Sequence, residues 1–242
     1  MNVEDLVRNP EILDKKIYRI FSFERFCQLL VNEELTFVSP NLWDDPFEDY
    51  FLNRTYLNDS GESISFNKFS KDTYGQCWTL TEESDALWRI YSRDNLGIRV
   101  STTVRKVLDC IFSNLDDTER DLAEHTRILF ADSVEYKSLS MMKNEIVNFG
   151  HNPLNGDLRI KCLFTKRDEF IHESEFRFIF NNYANPSGER VISFKCNIMD
   201  FIDEVCLDPR LDEAIFSFLK VSISNRLKNI PVNKSKMYDF NI

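Results

Sequence analysis

The chain has 242 residues, 43% hydrophobic and 13% aromatic, which suits one large domain or two small ones with a sizeable core. Its formal net charge of -10 argues against holding nucleic acid by a basic surface, because that binding draws on phosphate neutralisation by Lys and Arg; a nucleic acid enters only as a modified target or through a local basic groove. Gly (6 copies) and Pro (7) are too sparse for a low-complexity chain.

The N-terminal MNVEDLVRNPEILDKK is charged from its fourth residue and has no apolar h-region, so no secretory signal is expected. No run approaches the roughly 18 apolar residues of a membrane span. Cys27, Cys77, Cys110, Cys162, Cys196 and Cys206 are widely spaced without a C-x-x-C pair, which speaks against a zinc or redox pair and for buried thiols in a reducing, cytoplasmic setting.

IYRIF, 17–21, reads as a strand, followed by a helix over 23–33 that Ser22 caps and whose Phe23, Phe26, Leu29 and Leu30 recur at helical spacing. LTFVSP, 35–40, is a second strand, and the loop NLWDDPFEDY follows. The polar stretch 51–73 reads as a mobile loop or hairpin. YGQCWTLT, 74–81, is a strand. Ser84 caps a short helix carrying Leu87, Trp88 and Tyr91, which Asn95 and Gly97 break, and GIRVS, 97–101, is a strand with Arg99 facing away from Ile98 and Val100.

An amphipathic helix runs from Val104 to Leu115, a second helix is expected over 118–130, VEYKS, 134–138, reads as a strand, and Ser140–Phe149 as a helix closed by Gly150. A strand over 170–180 is expected to pair with ERVISF, 189–194. EVCLD, 204–208, is a strand stopped by Pro209, Asp212–Lys220 a helix, and MYDFNI a last strand. No repeat or linker interrupts this order, so the expectation is a single α+β domain over 1–242 with a mostly antiparallel sheet and helical insertions.

DEFIHESEFRFIF, 168–180, stands out. As a strand it puts Phe170, His172, Ser174, Phe176, Phe178 and Phe180 on one face and Ile171, Glu173, Glu175, Arg177 and Ile179 on the other. The Glu-Glu-Arg row is either a solvated face with cross-strand ion pairs or the floor of an active site. If exposed, such a pair is worth about 0–1 kcal/mol, and replacing Glu175 by Gln would leave the thermal midpoint nearly unchanged.

IYRIFS, ELTFVSPNLWDDPFED, GQCWTLT, LWRIYSRDNLGIRV, HESEFRF and DEVCLDPR, in that order over about 17–210, resemble the bacterial domain-of-unknown-function family 2971. Asp44 stands where that family usually has Asn before Asp45, Pro46, Phe47 and Glu48. The resemblance suggests a phage-defence effector or toxin. More distantly, Tyr18-Arg19 before a helix, Thr79-Leu80-Thr81, and Glu173-Ser174-Glu175 late in the chain are similar in order to ADP-ribosyltransferases of the arginine-serine-glutamate type.

That second resemblance implies an ADP-ribosyltransferase-like sheet and NAD as substrate. Glu175 would stabilise the ribosyl cation, Glu173 would orient or deprotonate an unknown macromolecular acceptor, and Arg19 would grip the pyrophosphate through its two-pronged guanidinium. Thr79, Thr81, Trp88 and Tyr91 would line the dinucleotide site, the last two as a stacking platform.

Each has a structural alternative: an ion pair with Glu173 or Glu175 for Arg19, strand propensity for the threonines, and core anchoring for Trp88 and Tyr91. Asp44, Asp45, Glu48 and Asp49 would suit a divalent cation or simply a capped turn, and no metal is assigned to them. The rival functions are a non-enzymatic interaction or sensor module and a metal-dependent nuclease.

Overall fold

The computed structural model describes residues 10–45, 47–48, 55–57, 61, 63–65, 72–126, 128–151, 156–183 and 188–239. The architecture is α+β, with mostly antiparallel strand pairing. Strand β1 (Lys16–Phe21) leads into α1 (Phe23–Asn32), whose first turn is closed by the Ser22 hydroxyl accepting the Arg25 N–H at 3.3 Å. Then come β2 (Glu34–Val38), the short hairpin β3 (Thr55–Leu57) and β4 (Ser63–Ser65), β5 (Thr73–Thr79), and α2 (Asp85–Tyr91). Ser84 stands at the start of α2 without capping it through its side chain.

Strand β6 (Ile98–Thr103) and helix α3 (Val104–Asn114) are as expected. Helix α4 (Asp117–His125) opens on a capping box in which Asp116 and Glu119 each accept the other's backbone N–H. It ends earlier than its composition suggested, because Leu129–Ser133 forms strand β7. After β8 (Glu135–Lys137), α5 (Leu139–His151) continues through Gly150 instead of stopping there.

The largest departures follow. Helix α6 (Gly156–Leu163) and strand β9 (Thr165–Arg167) occupy a stretch with no clear periodicity. Asp168–Glu173 is a 3-10 helix, so strand β10 is only Glu175–Asn181. It pairs with β5 and, antiparallel, with β7, where Arg177 stands opposite Asp132, and not with β11 (Val191–Lys195), which pairs with β2. The chain closes with α7 (Ile198–Phe201), β12 (Glu204–Leu207), α8 (Glu213–Arg226) and β13 (Val232–Lys234). Met237 and Tyr238 sit in a turn where a last strand was expected, and residues 240–242 of that expected strand lie outside the described residues.

The described residues fall into two compact units. One comprises Thr36–Cys77 and Asp116–Ile192; the other comprises the residues before Thr36, Trp78–Leu115, and the residues from Ser193 on. In the first, Met142, Cys162, Leu163, Phe164 and Ile179 form a core against which Trp43, Phe47 and Phe130 pack. In the second, α3 turns Val104, Val107, Leu108 and Ile111 inward, all fully buried, and Trp78 packs edge-on against Phe21 and Phe201. β12–β13 and β8–β9 pair in parallel.

Gly75 shows how tightly the first unit is packed. It sits on β5 opposite Val38, and a Cβ there would lie 2.5 Å from Trp43 Cζ2 and 3.0 Å from Ile179 Cδ1. Gly75→Ala should therefore lower stability by roughly 1–3 kcal/mol, read as a drop in the urea midpoint. An unchanged midpoint would mean that the Trp43 ring moves aside at no cost.

Candidate functional site

Strand β10 alternates as β-geometry requires, so Glu175, Arg177 and Ile179 share one face and Phe176, Phe178 and Phe180 the other. Both faces are buried: Glu175 is 6% exposed and Arg177 is 0%. The solvated-face expectation is thereby overturned, since these charges are held inside the first unit.

Glu173 reaches the same place by another route. It ends the 3-10 helix, and Ser174 then adopts a left-handed conformation (φ 44) that swings the chain into β10. A non-glycine residue there costs about 1 kcal/mol, and the turn sets two glutamates either side of one ammonium. Lys166 Nζ donates to Glu173 Oε2 at 2.5 Å, to Glu175 Oε1 at 2.6 Å, and pairs with Glu48 Oε1 at 3.2 Å. Its three donors thus meet three carboxylates.

Arg177 carries the second positive charge. Its Nε donates to Glu175 Oε2 at 2.6 Å, its Nη1 to the Leu163 carbonyl at 2.8 Å, and its Nη2 to Glu48, while the guanidinium lies 4.5 Å over the Trp43 ring. The Glu175 backbone N–H donates to the Tyr136 hydroxyl at 2.8 Å, and burial pushes that phenol up to about 12. Beside this cluster Asp45 accepts from Arg167 through both carboxylate oxygens at 3.2 Å, with Phe47 and Phe170 against the guanidinium.

Three carboxylates against two cations leave one negative charge over, which a single proton removes. Glu173 is the carboxyl drawn toward that proton. Burial, and the hydrogen bond it shares with Glu175, raise its carboxyl from the usual 4.5 to about 7. Burial would raise Glu175 as well, but the charge of Arg177, the bonds from Glu173 and Arg177, and the charge of Lys166 hold it well below the carboxylate range. Burial raises Glu48 against the pull of Arg177 and Lys166. Lys166 keeps its proton: burial works against the charge, and the carboxylates of Glu175 and Glu48 outweigh it.

Sequence reasoning found Glu173, Glu175 and Arg177 but not Lys166, and it placed Glu48 and Asp45 in a cation-binding or turn-forming loop. Both carboxylates instead neutralise protein cations, and Asp49 lies outside the described residues. The signal for Lys166 was the Thr-Lys-Arg run just before the Glu-x-Glu tract, which a continuous-strand reading left without a role.

The remaining candidates belong to the second unit. Arg19 lies on β1 opposite Val100, its guanidinium 5.1 Å from the Phe21 ring. Thr79 pairs with Tyr18 and its hydroxyl accepts the Thr81 N–H at 3.0 Å. Trp88 is fully buried and its indole N–H donates to Glu83 at 3.1 Å, which makes it the anchor of α2, while Tyr91 on the same helix is 44% exposed.

No family model matches the chain, and no curated protein does. Three solved structures are similar, all of DarT from Thermus sp. 2.9: in complex with NAD+, with carba-NAD+, and with ADP-ribosylated single-stranded DNA. Each is 10% identical over 92% of this chain, with TM-scores of 0.38, 0.37 and 0.38, and 96%, 96% and 95% of the DarT chain is covered. No helix among the described residues is long and apolar enough to cross a membrane.

Two predictions come from the cluster. Glu175 receives a cationic donor on each oxygen, so Glu175→Gln must turn its NH2 toward Lys166 or Arg177. It should destabilise the chain by roughly 3 kcal/mol or more, seen as a thermal midpoint lower by several degrees; an unchanged midpoint would return the residue to the surface.

The second concerns pH. Because the folded-state carboxyl of Glu173 is raised, its contribution is complete below the unfolded value of 4.5 and is lost as pH rises toward about 7. Glu175, held low, behaves oppositely and weakens the fold only in acid. Glu173→Gln has no proton to release, so the stability of wild type relative to this variant should fall by roughly 1–3 kcal/mol between pH 5 and 8. Urea titrations across that range measure it, and a flat difference would show that Glu173 stays ionised.

Proposed function

We propose that the protein is an NAD-dependent ADP-ribosyltransferase-like enzyme acting on a macromolecule, with Glu173 and Glu175 carrying the ribosyl chemistry. The observation behind this reading is the single ammonium of Lys166 set between two carboxylates whose proton affinities are pushed apart. Such a separation supplies one group that exchanges a proton near neutrality and one fixed negative charge.

When the nicotinamide–ribose bond breaks, its electron pair leaves with nicotinamide and positive charge develops on the ribose. A carboxylate that stays ionised, as Glu175 does, opposes that charge. Glu173, in the ionised form it reaches as pH rises through about 7, takes the proton from the acceptor nucleophile. Lys166 holds both side chains, while burial and Arg177 push their proton affinities apart, and it keeps its own proton.

Arg19, Thr79, Thr81 and Tyr91 are the proposed dinucleotide contacts, with Trp88 fixing the helix that carries Tyr91; a defence or toxin role is proposed from the sequence resemblance. A purely structural network is the second reading, favoured by Arg177, which is fully buried and spends one donor on a backbone carbonyl.

Nicotinamide release from NAD, measured below the melting transition of every variant and with single-stranded DNA or cell extract as acceptor, separates the two readings. Wild-type turnover with a 10²- to 10³-fold loss in Glu175→Gln is expected. Absence of turnover with every acceptor assigns the cluster to stability alone. Arg19→Lys keeps the charge but not the fork, so calorimetric titration should show it losing NAD affinity; equal affinity would free Arg19 from that role.

A further inference from the structure

The second unit contains a polar cavity of about 620 Å³, within the size range of small-molecule sites. One sheet face contributes Arg99 of β6 and its cross-strand neighbours Cys206 of β12 and Asn233 of β13. Arg99 is only 5% exposed. A guanidinium has five N–H donors, yet among the described residues this one makes a single hydrogen bond, from Nη1 to the Glu82 carbonyl at 2.7 Å.

The nearby carboxylates stop short of it: Nη2 lies 3.8 Å from Glu82 Oε1 and 3.7 Å from Glu204 Oε2, too far for direct hydrogen bonds. The Tyr18 ring, 5.3 Å away, backs the guanidinium. A buried fork with spare donors at the wall of a cavity is an arrangement that protein groups alone leave incomplete.

Charge narrows what completes it. Four cations and five carboxylates line the cavity, so a polyphosphate would enter a net-negative recess and is disfavoured. Glu83 is already occupied by Trp88 and Ser235, and Glu213 by Lys234 at 3.2 Å; Glu204 accepts the Asn233 amide through Oε1 at 3.2 Å, which leaves its Oε2, with Glu82, as acceptors next to the arginine. Phe216 supplies an apolar wall. A ligand that presents a carboxylate to Arg99 and a cation to Glu82 and Glu204 fits both demands and leaves the net charge unchanged.

We propose that this cavity binds a free α-amino acid, its carboxylate on the Arg99 fork, its ammonium between Glu82 and Glu204, and its side chain toward Phe216. This goes beyond the ADP-ribosyl chemistry and stands without it. Its test is calorimetry and thermal shift on the full chain with glycine, leucine, phenylalanine and glutamate, against phenethylamine (no carboxylate), 3-phenylpropionate (no ammonium) and inorganic phosphate.

At least one amino acid should bind saturably and raise the midpoint, the one-charge analogues should bind at least tenfold more weakly, and Glu204→Gln should cost at least tenfold in affinity. Arg99→Lys should abolish binding; should that variant fail to fold, Glu204, whose side chain is 30% exposed, carries the test alone. No amino acid binding at millimolar concentration, phosphate binding as well as the amino acid, or a Glu204→Gln variant of unaltered affinity would each overturn the proposal.

Discussion

Moving an ammonium out of water costs several kcal/mol even after the surroundings relax, and much of the first unit is arranged around meeting that demand at Lys166. Three carboxylates answer one cation, which overshoots by two charges, and Arg177, buried beside them, halves that excess. The remaining donors of Arg177 need the Leu163 carbonyl, and its flat face is covered by Trp43. Trp43 in turn leaves β5 room for nothing larger than glycine at position 75. The left-handed Ser174 belongs to the same chain of requirements, because it brings consecutive acidic positions onto one cation from a helix and a strand.

The second unit settles a comparable problem with backbone groups. Helix α2 ends at Tyr91 with carbonyls that have no helical partner. Arg210 supplies donors at that end, to Ser92 O at 2.8 Å and to Trp88 O at 3.0 Å, the latter also accepting the Ser92 N–H, and is itself held by the fully buried Asp208. Asp208 also accepts the Ser92 hydroxyl at 2.5 Å, and that oxygen accepts the Gly97 N–H at 2.8 Å. A Cβ on Gly97 would lie 2.4 Å from that of Ser92. The Trp-Arg-Ile-Tyr-Ser and Leu-Asp-Pro-Arg tracts therefore meet as one lock, each supplying what the other's backbone lacks.

Elements with a strong local signal were legible in the sequence. Ser22 and Asp212 start helices where their side-chain oxygens find orphan N–H groups, and the apolar face of α3 is written in its spacing. The Glu-x-Glu-x-Arg row was legible as an oddity, though not its burial, because alternation tells which residues share a face and not what covers that face. Asp168–Glu173 reads as strand by alternation, yet its hydrogen bonds are local, and the left-handed residue that ends it is a serine and not the glycine that would have announced it. Lys166 and Glu48 were opaque for a simpler reason: a lysine in a short strand and a glutamate in an acidic loop look like surface residues until the other charges are placed.

The distances along the chain within the cluster are very unequal. Lys166 finds Glu173 and Glu175 seven and nine residues away, and Arg177 finds Glu175 two residues away, whereas Arg177 and Glu48 are separated by 129. Closing the short loops costs little chain entropy; the long one must wait until the intervening structure exists. Lys166–Arg177 thus holds the short-range part of the charge set, and the contact to Glu48 closes its longest loop. Contacts made after the rate-limiting barrier govern how fast a protein comes apart more than how fast it assembles, so a Glu48 contact formed at that stage would act as a clasp on the folded state, setting its lifetime more than its speed of formation.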